Sequence, residues 1–62
     1  MSYTVKDVCS IRSTDKALLV DVGGDKIWVP QSQIDNDSEV WESGQEGDLV
    51  VTDWFADKQG WL

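Results

Sequence analysis

The acidic residues in the middle of the chain have the spacing that comes closest to metal chemistry. Asp35, Asp37 and Glu39 are spaced like the first, third and fifth ligands of a calcium-binding loop. Glu46 falls at the twelfth position, but the sixth, where the sharp turn requires glycine, is Val40. The flanking sequence is also typical of strands and turns rather than helices. We therefore predict a solvated acidic loop without a bound metal, with a weak cation site of another kind as the alternative.

Carboxylates outnumber basic side chains in this sequence. The 62 residues include 12 Asp and Glu against 5 Lys and Arg, which gives a net charge of −7. Affinity for nucleic acids comes largely from Lys and Arg, so duplex DNA and anionic membranes are disfavoured partners. An acidic surface instead favours a basic protein partner, and a special case is a protein that imitates DNA by presenting carboxylates in place of phosphates. The carboxylates expected to form this surface are Asp35, Asp37, Glu39, Glu42, Glu46 and Asp48.

The aromatic side chains offer a second kind of binding chemistry, which is stacking. Aromatic rings stack on single-stranded bases, but a domain this small also needs large side chains for its core. Trp41 and Trp54 lie beside apolar residues, so we predict that both are buried. The remaining Trp residues are better placed for contact, and two basic residues are their candidate neighbours. The predicted contact residues are Trp28, Lys26, Arg12 and Trp61.

The residue types that catalysis needs are largely missing from the sequence. The chain has no His, and its single Cys leaves no partner for a disulfide or for a zinc site with four ligands. Cys9 is predicted to be a small buried hydrophobic side chain, because no His is available to activate its thiol. Ser32 likewise has no neighbouring base to activate its hydroxyl. Gly23-Gly24 lacks the Lys and the following helix of a phosphate-binding loop. We therefore predict no enzymatic activity and no cofactor.

A hairpin around Gly23-Gly24 is the best-defined element that would position these residues. Two runs rich in β-branched residues, 17–22 and 26–29, flank the turn. The resulting register places apolar residues opposite apolar ones and an acid opposite a base, which stabilises adjacent strands. The predicted pairs are Leu18–Val29, Leu19–Trp28, Val20–Ile27 and Asp21–Lys26. The face predicted to pack in the core contains Leu18, Val20, Val22, Ile27 and Val29, and the opposite face is mixed.

The segment before the hairpin is typical of a first strand, from Thr4 to Ser13. Its Val, Ile and Thr content favours a strand over the single helical turn that Val5, Val8 and Cys9 also fit. Strand alternation then places Val5, Cys9 and Ile11 on one face.

The second half of the chain contains shorter elements. Pro30 is expected to end the third strand, because proline cannot donate to a ladder. Residues 31–34 suit one helical or 3₁₀ turn, residues 35–39 a polar loop, and residues 48–52 another strand. Residues 53–60 predict a short helix that Thr52 or Asp53 caps and Gly60 ends, with a strand hairpin as the alternative.

Together these elements predict a mainly β fold with a single domain over residues 1–62. Three or four antiparallel strands and a short C-terminal helix would form a small curled sheet or an open barrel of SH3-like or OB-like type. The sequence contains no apolar run of membrane-spanning length and no apolar segment behind a basic start. With a lone Cys, these features favour a cytoplasmic protein.

Two stretches resemble small uncharacterised proteins encoded by bacteriophages and other mobile elements. One is Ile27-Trp28-Val29-Pro30-Gln31-Ser32-Gln33-Ile34, and the other runs from Asp48 to a Trp54-Phe55-Ala56 tail. The resemblance covers the chain from Lys16 onward and implies an origin in such an element, with the host cytoplasm as the compartment. It implies no assigned function.

A second resemblance is to OB-type RNA-binding domains, in which a Pro-x-Ser turn follows one strand and Gly-x-x-Gly-Asp introduces another. Val29-Pro30-Gln31-Ser32 and Gly44-Gln45-Glu46-Gly47-Asp48 follow that order. This resemblance implies a binder of single-stranded nucleic acid. The sequence departs from the family because it lacks the surface Lys and Arg and the paired strand aromatics.

Three functional hypotheses follow from the sequence. The first is an acidic module that binds another protein, with DNA mimicry as its special case. The second is an OB-type binder of single-stranded nucleic acid. The third is a structural subunit that forms a homo-oligomer through an exposed sheet edge.

Overall fold

The fold is a four-stranded antiparallel sheet with one short helix, seen in a computed structural model that describes residues 2–62. The strands are β1 (Ser2–Ser13), β2 (Ala17–Val22), β3 (Asp25–Pro30) and β4 (Glu46–Thr52), in the spatial order β3-β2-β1-β4. A 3₁₀ turn (Gln31–Gln33) follows β3, and helix α1 (Asp53–Gln59) follows β4. The outermost strands do not pair with each other, so the sheet is open. This architecture confirms the predicted mainly β fold.

The hairpin of β2 and β3 has the predicted register at every predicted pair. Gly23 and Gly24 have φ angles of +59° and +94°, the left-handed values that a two-residue type I′ turn requires. The Asp21 carboxylate accepts a hydrogen bond from the Gly24 N–H at 2.9 Å, which stabilises the turn. The predicted faces are confirmed too, since Leu18, Val20 and Val29 are fully buried while Lys26 and Trp28 are exposed.

Strand β1 contains a β-bulge that the sequence did not predict. Its register with β4 shifts between Val5 and Val8, and within this interval Asp7 has a φ of +59°. The extra residue inverts the alternation, so Val8 rather than Cys9 returns to the core. Ile11 is 45% exposed. The prediction that Val5, Cys9 and Ile11 lie on one face is therefore wrong.

The core is aliphatic and lies between the inner face of the sheet and α1. Most of its fully buried side chains are Val and Leu, and α1 adds Phe55 and Ala56. The buried cluster consists of Val8, Leu18, Val20, Val29, Val40, Leu49, Val51, Phe55 and Ala56. Val50, on the opposite side of β4, is also buried, because the chain after the 3₁₀ turn folds back over that strand.

Helix α1 follows β4 without a linker and confirms the predicted helix over the alternative hairpin. Thr52 Oγ1 accepts the Phe55 N–H at 3.3 Å as the N-cap and donates to the Gln33 side-chain oxygen. Gly60, with a φ of +81°, ends the helix. Within residues 2–62, no helix has the length and apolar character needed to cross a bilayer.

Candidate interaction surfaces

Residues 35–48, which we call the acidic segment, contain all of the predicted acidic surface. This segment has six carboxylates and no Lys or Arg, whereas in residues 1–34 four carboxylates are matched by four basic side chains. The net charge of −7 therefore arises almost entirely from the acidic segment, which runs from just after the 3₁₀ turn into the first three residues of β4.

Backbone hydrogen bonds attach the part of the acidic segment that precedes β4 to the outer edge of that strand. The Asp35 N–H donates to the Val50 carbonyl at 2.8 Å, and the Glu39 N–H donates to the Asp48 carbonyl at 3.0 Å. The Glu39 carboxylate in turn accepts the Asp48 N–H at 2.9 Å. The edge of β4 is thus covered by the protein itself, which is one of the ways in which natural sheets protect an edge strand.

Two buried serine hydroxyls also hold the acidic segment in place. Ser38 Oγ accepts the Val50 N–H at 3.1 Å and so ties the segment to β4. Ser10 Oγ, on β1, accepts the Gln45 N–H at 2.9 Å and donates to the Glu42 carbonyl. Sequence reasoning missed both serines, because the partners that tie the segment to the sheet lie 12 residues from Ser38 and 35 residues from Ser10.

A cleft of about 320 Å³ opens between the acidic segment and the 3₁₀ turn. Its lining residues are Gln31, Ile34, Asp35, Asn36, Ser38 and Trp41. Trp41 is 53% exposed, so the prediction that it is buried is wrong. The physical reason is that the preceding residue, Val40, occupies the core, which leaves the next side chain facing solvent.

Trp54 is also exposed, contrary to its predicted place in the core. It is 59% exposed on α1, whose core contacts are made by Phe55 and Ala56 instead. Its indole ring lies under the Lys58 side chain, with Nζ 5.6 Å from the ring centroid. Trp54 and Lys58 therefore share the solvent-facing side of α1.

Trp61, predicted to be a contact residue, packs against the fold instead. Its ring stacks on Tyr3 with a centroid separation of 6.2 Å and meets Phe55 edge-on at 5.8 Å. The side chain is half-buried and covers the end of the core. Trp61 is thus separated from the other predicted contact residues, because the chain after α1 turns back onto the start of β1.

The outer face of the sheet brings together the other three predicted contact residues. Lys26 and Trp28 are two residues apart on β3, and Leu19 of β2 pairs with Trp28 on one side and with Arg12 of β1 on the other. Trp28 is 47% exposed, so its ring is accessible on this face. β1 has a second register shift, between Ser10 and Arg12, and the side chains of Ile11 and Arg12 are both exposed at this point.

Cys9 lies on the same outer face, between Asp21 of β2 and Glu46 of β4 in the register. Its thiol donates a hydrogen bond to the Glu46 carboxylate at 3.0 Å. This hydrogen bond raises the pKa of Cys9 above its usual value, and desolvation and the negative charges of Glu46, Asp21 and Asp7 add to the rise. Cys9 is half-buried, so the prediction of a buried hydrophobic side chain is wrong, and the thiol is a poor nucleophile at neutral pH.

The calcium-like spacing in the acidic segment does not produce a ligand cluster. The Asp35 carboxylate accepts the Asp37 N–H at 2.9 Å, and Glu46 lies within β4 opposite Cys9. Among residues 2–62, no three side chains of His, Cys, Asp or Glu are grouped so that they could hold a metal ion.

No known sequence family, curated protein or solved structure matches this chain. Two surfaces of the described residues present exposed charged and aromatic side chains. They are the acidic segment with its cleft and Trp41, and the outer sheet face with its row of apolar and basic side chains.

Proposed function

We propose that this protein is a non-enzymatic binding module that docks a basic protein partner on its acidic segment. The observation that carries the proposal is that six carboxylates follow one another without a basic residue between them, four in the chain that folds against β4 and two at the start of β4 itself. Like charges concentrated in one short segment repel one another and weaken the compact state. A partner that supplies positive charge offsets this repulsion, so the charge pattern favours binding of a basic protein.

Trp41 gives the acidic segment a second means of recognising a basic side chain. Its exposed ring lines the cleft together with Asp35. A Lys or Arg side chain that enters this cleft places its cation over an indole ring and close to a carboxylate. The proposal therefore assigns recognition of a single basic side chain to the cleft, and longer-range attraction to the remaining carboxylates.

DNA mimicry is a special case of this proposal. The partner would then be a nucleic-acid-binding protein, and the six carboxylates would stand where phosphates bind. A phage-encoded inhibitor of a host enzyme is one protein of this kind. Competition with duplex DNA for the same partner separates this case from binding to other basic proteins.

Calorimetric titration with an arginine-rich peptide tests the proposal. We expect binding that weakens as salt is added, and no binding to a peptide of equal length with glutamine in place of arginine. Trp41→Ala should weaken the affinity about fivefold, because an exposed cation–π contact contributes about 1 kcal/mol. Trp54→Ala, which removes an equally exposed indole from α1, is the matched control and should leave the affinity unchanged.

Two results would contradict the proposal. One is the absence of any heat of binding at low salt. The other is an equal loss of affinity in the Trp41 and Trp54 variants, which would mean that the cleft has no special role.

A second candidate function is binding of single-stranded nucleic acid on the outer sheet face. It is favoured by the alignment of Trp28, Lys26 and Arg12, which can provide one stacking ring and two phosphate contacts. Asp21 and Glu46 on the same face oppose it. A gel shift with a labelled oligonucleotide at low salt, repeated with Trp28→Ala, decides the matter. A shift that persists in the variant would exclude this face.

A further inference from the structure

Among the described residues, the chain covers one edge of the sheet and leaves the other edge without a neighbouring strand. The acidic segment covers the edge of β4 with backbone and side-chain hydrogen bonds. β3 forms the opposite edge, and its outer side has no neighbouring strand among the described residues. We propose that this edge pairs with β3 of a second copy of the chain, so that the two sheets join into one. This dimer is independent of the function proposed for the acidic segment.

The register of the hairpin determines which backbone groups of β3 point outward. The Gln31 N–H donates to the Lys16 carbonyl at 2.8 Å. In an antiparallel pair every second residue bonds to the neighbouring strand, so Val29, Ile27 and Asp25 are the residues of β3 that bond to β2. Lys26 and Trp28 are the intervening positions, so their N–H and C=O groups face away from β2. Pro30 offers only a carbonyl on that side. No group within residues 2–62 hydrogen-bonds to the outward backbone groups of Lys26 and Trp28.

One antiparallel register satisfies the outward N–H and C=O groups of both residues. It sets Lys26 of each copy opposite Trp28 of the other and brings the two half-buried Ile27 side chains together. The opposed Lys and Trp side chains can then form a cation–π contact. Shifting the copies in one direction aligns Lys26 with Lys26, which is repulsive. Shifting them in the other sets the Lys26 carbonyl against Pro30, which has no N–H to donate.

Charge also favours this edge for contact between two acidic molecules. β3 contains one carboxylate and one ammonium group, Asp25 and Lys26, whereas the acidic segment lies along the opposite edge of the sheet. Pairing through β3 puts the two acidic segments at the far ends of the joined sheet. Their repulsion is then weakened by both distance and salt screening.

Sedimentation equilibrium and amide hydrogen exchange of the full chain test the proposal. The mass should rise from that of a monomer to that of a dimer with increasing concentration. The Lys26 and Trp28 amides should exchange rapidly in the monomer and slowly in the dimer. The Ile27 amide, which bonds to β2, should be protected in both states and serves as the internal reference.

A pair of substitutions locates the interface. Trp28→Lys sets like charges opposite each other and should raise the dimer dissociation constant about tenfold or more. Trp41→Lys makes the same change at an equally exposed position on the acidic segment and should not weaken the dimer. Trp28→Pro, which removes an outward N–H from an edge strand, should also weaken it. Circular dichroism establishes that each variant is folded.

The proposal is overturned by a monomeric mass at every concentration. It is equally overturned by a dimer that survives both Trp28 substitutions, or by one in which the Lys26 and Trp28 amides still exchange rapidly. In either of the last two cases another surface would join the copies.

Discussion

The hairpin and the acidic segment lie at opposite edges of one sheet and are held by different forces. The hairpin, residues 17–30, is held by a continuous backbone ladder and a two-glycine turn, and its register matches charge and hydrophobicity together. The acidic segment has no regular ladder before it enters β4 and depends there on scattered hydrogen bonds, including those of the Ser38 and Ser10 hydroxyls. The hairpin is thus determined by local sequence, whereas the acidic segment depends on contacts between residues far apart in the sequence, such as Ser10 with Gln45.

The hairpin and the acidic segment also differ in their balance of charge. Asp21 and Lys26 pair across the hairpin, whereas the acidic segment has no basic residue of its own. Among the described residues, one ion pair reaches the acidic segment, from Lys6 on β1 to Asp48 at 3.4 Å, and the Lys6 side chain is largely exposed. A pair this exposed contributes little stability. Most of the negative charge of the acidic segment is therefore not balanced by its own chain, while the hairpin is nearly neutral.

Truncation of a core side chain of the hairpin should have the largest effect on stability. Leu18 is fully buried, so Leu18→Ala should lower the free energy of unfolding by about 2–5 kcal/mol. Leu19→Ala, on the mixed face, is the matched control and should have a smaller effect. Urea unfolding followed by circular dichroism measures both. Equal decreases in the free energy of unfolding for the two variants would mean that the two faces of the hairpin contribute equally to the core.

The anchoring of the acidic segment is tested by Ser38→Ala. The substitution leaves the buried Val50 N–H without its acceptor, which should lower the free energy of unfolding by about 1–3 kcal/mol. Ser43→Ala changes an exposed serine of the same segment and should stay within about 0.5 kcal/mol. If the two variants unfold alike in urea, backbone bonds alone hold the segment.

The charge contrast predicts an opposition between stability and binding. The double variant Asp37→Asn with Glu42→Gln removes two exposed like charges and should raise the free energy of unfolding by about 0.5 kcal/mol. It should also weaken binding of the arginine-rich peptide. Asp15→Asn, outside the acidic segment, should change neither quantity. A destabilised double variant would show that repulsion within the segment is unimportant.

The smallest expected effect concerns Cys9, which lies between the two regions. Glu46→Gln removes the carboxylate whose hydrogen bond and charge raise the pKa of Cys9, so the pKa should fall and the thiolate fraction should rise. Alkylation by iodoacetamide at about pH 8 should then be faster than in the parent protein. Glu42→Gln is the matched control, and mass spectrometry follows the rate. An unchanged rate in the Glu46 variant would show that this carboxylate does not control the thiol.

The same shift predicts how alkaline pH affects folding. A thiol whose pKa is raised in the folded state stabilises the fold at pH values below its unfolded pKa. That contribution is lost as the pH rises from the unfolded pKa through the folded one. The free energy of unfolding should therefore decline in this alkaline range, and Cys9→Ser should reduce the decline.

The elements that sequence reasoning predicted well are those determined by local chemistry. Gly23-Gly24 specifies the turn and hence the register of the hairpin, and Thr52 and Gly60 mark the ends of α1. The bulge at Asp7 could not be predicted, because nothing local distinguishes this Asp from one in a regular strand.

The errors over tryptophan burial have one common cause. An apolar neighbour does not determine which way a side chain points, and beside Trp41 and Trp54 it is the neighbour that occupies the core. The cleft was missed for a related reason, since Gln31 and Trp41 are brought together only when the acidic segment folds over β4. Burial of this kind follows from tertiary contacts rather than from local pattern.

The position of Trp61 has a consequence for spectroscopy. Of the four tryptophans, Trp61 alone is enclosed, between Tyr3 and Phe55, while the other three indoles already face water in the native state. Intrinsic fluorescence should therefore shift only modestly when the protein unfolds, because most of the emission already comes from solvated rings. The exposed indoles become selective reporters instead. Quenching assigned to Trp41 reports contact at the cleft, and quenching assigned to Trp28 reports contact at the free edge of the sheet.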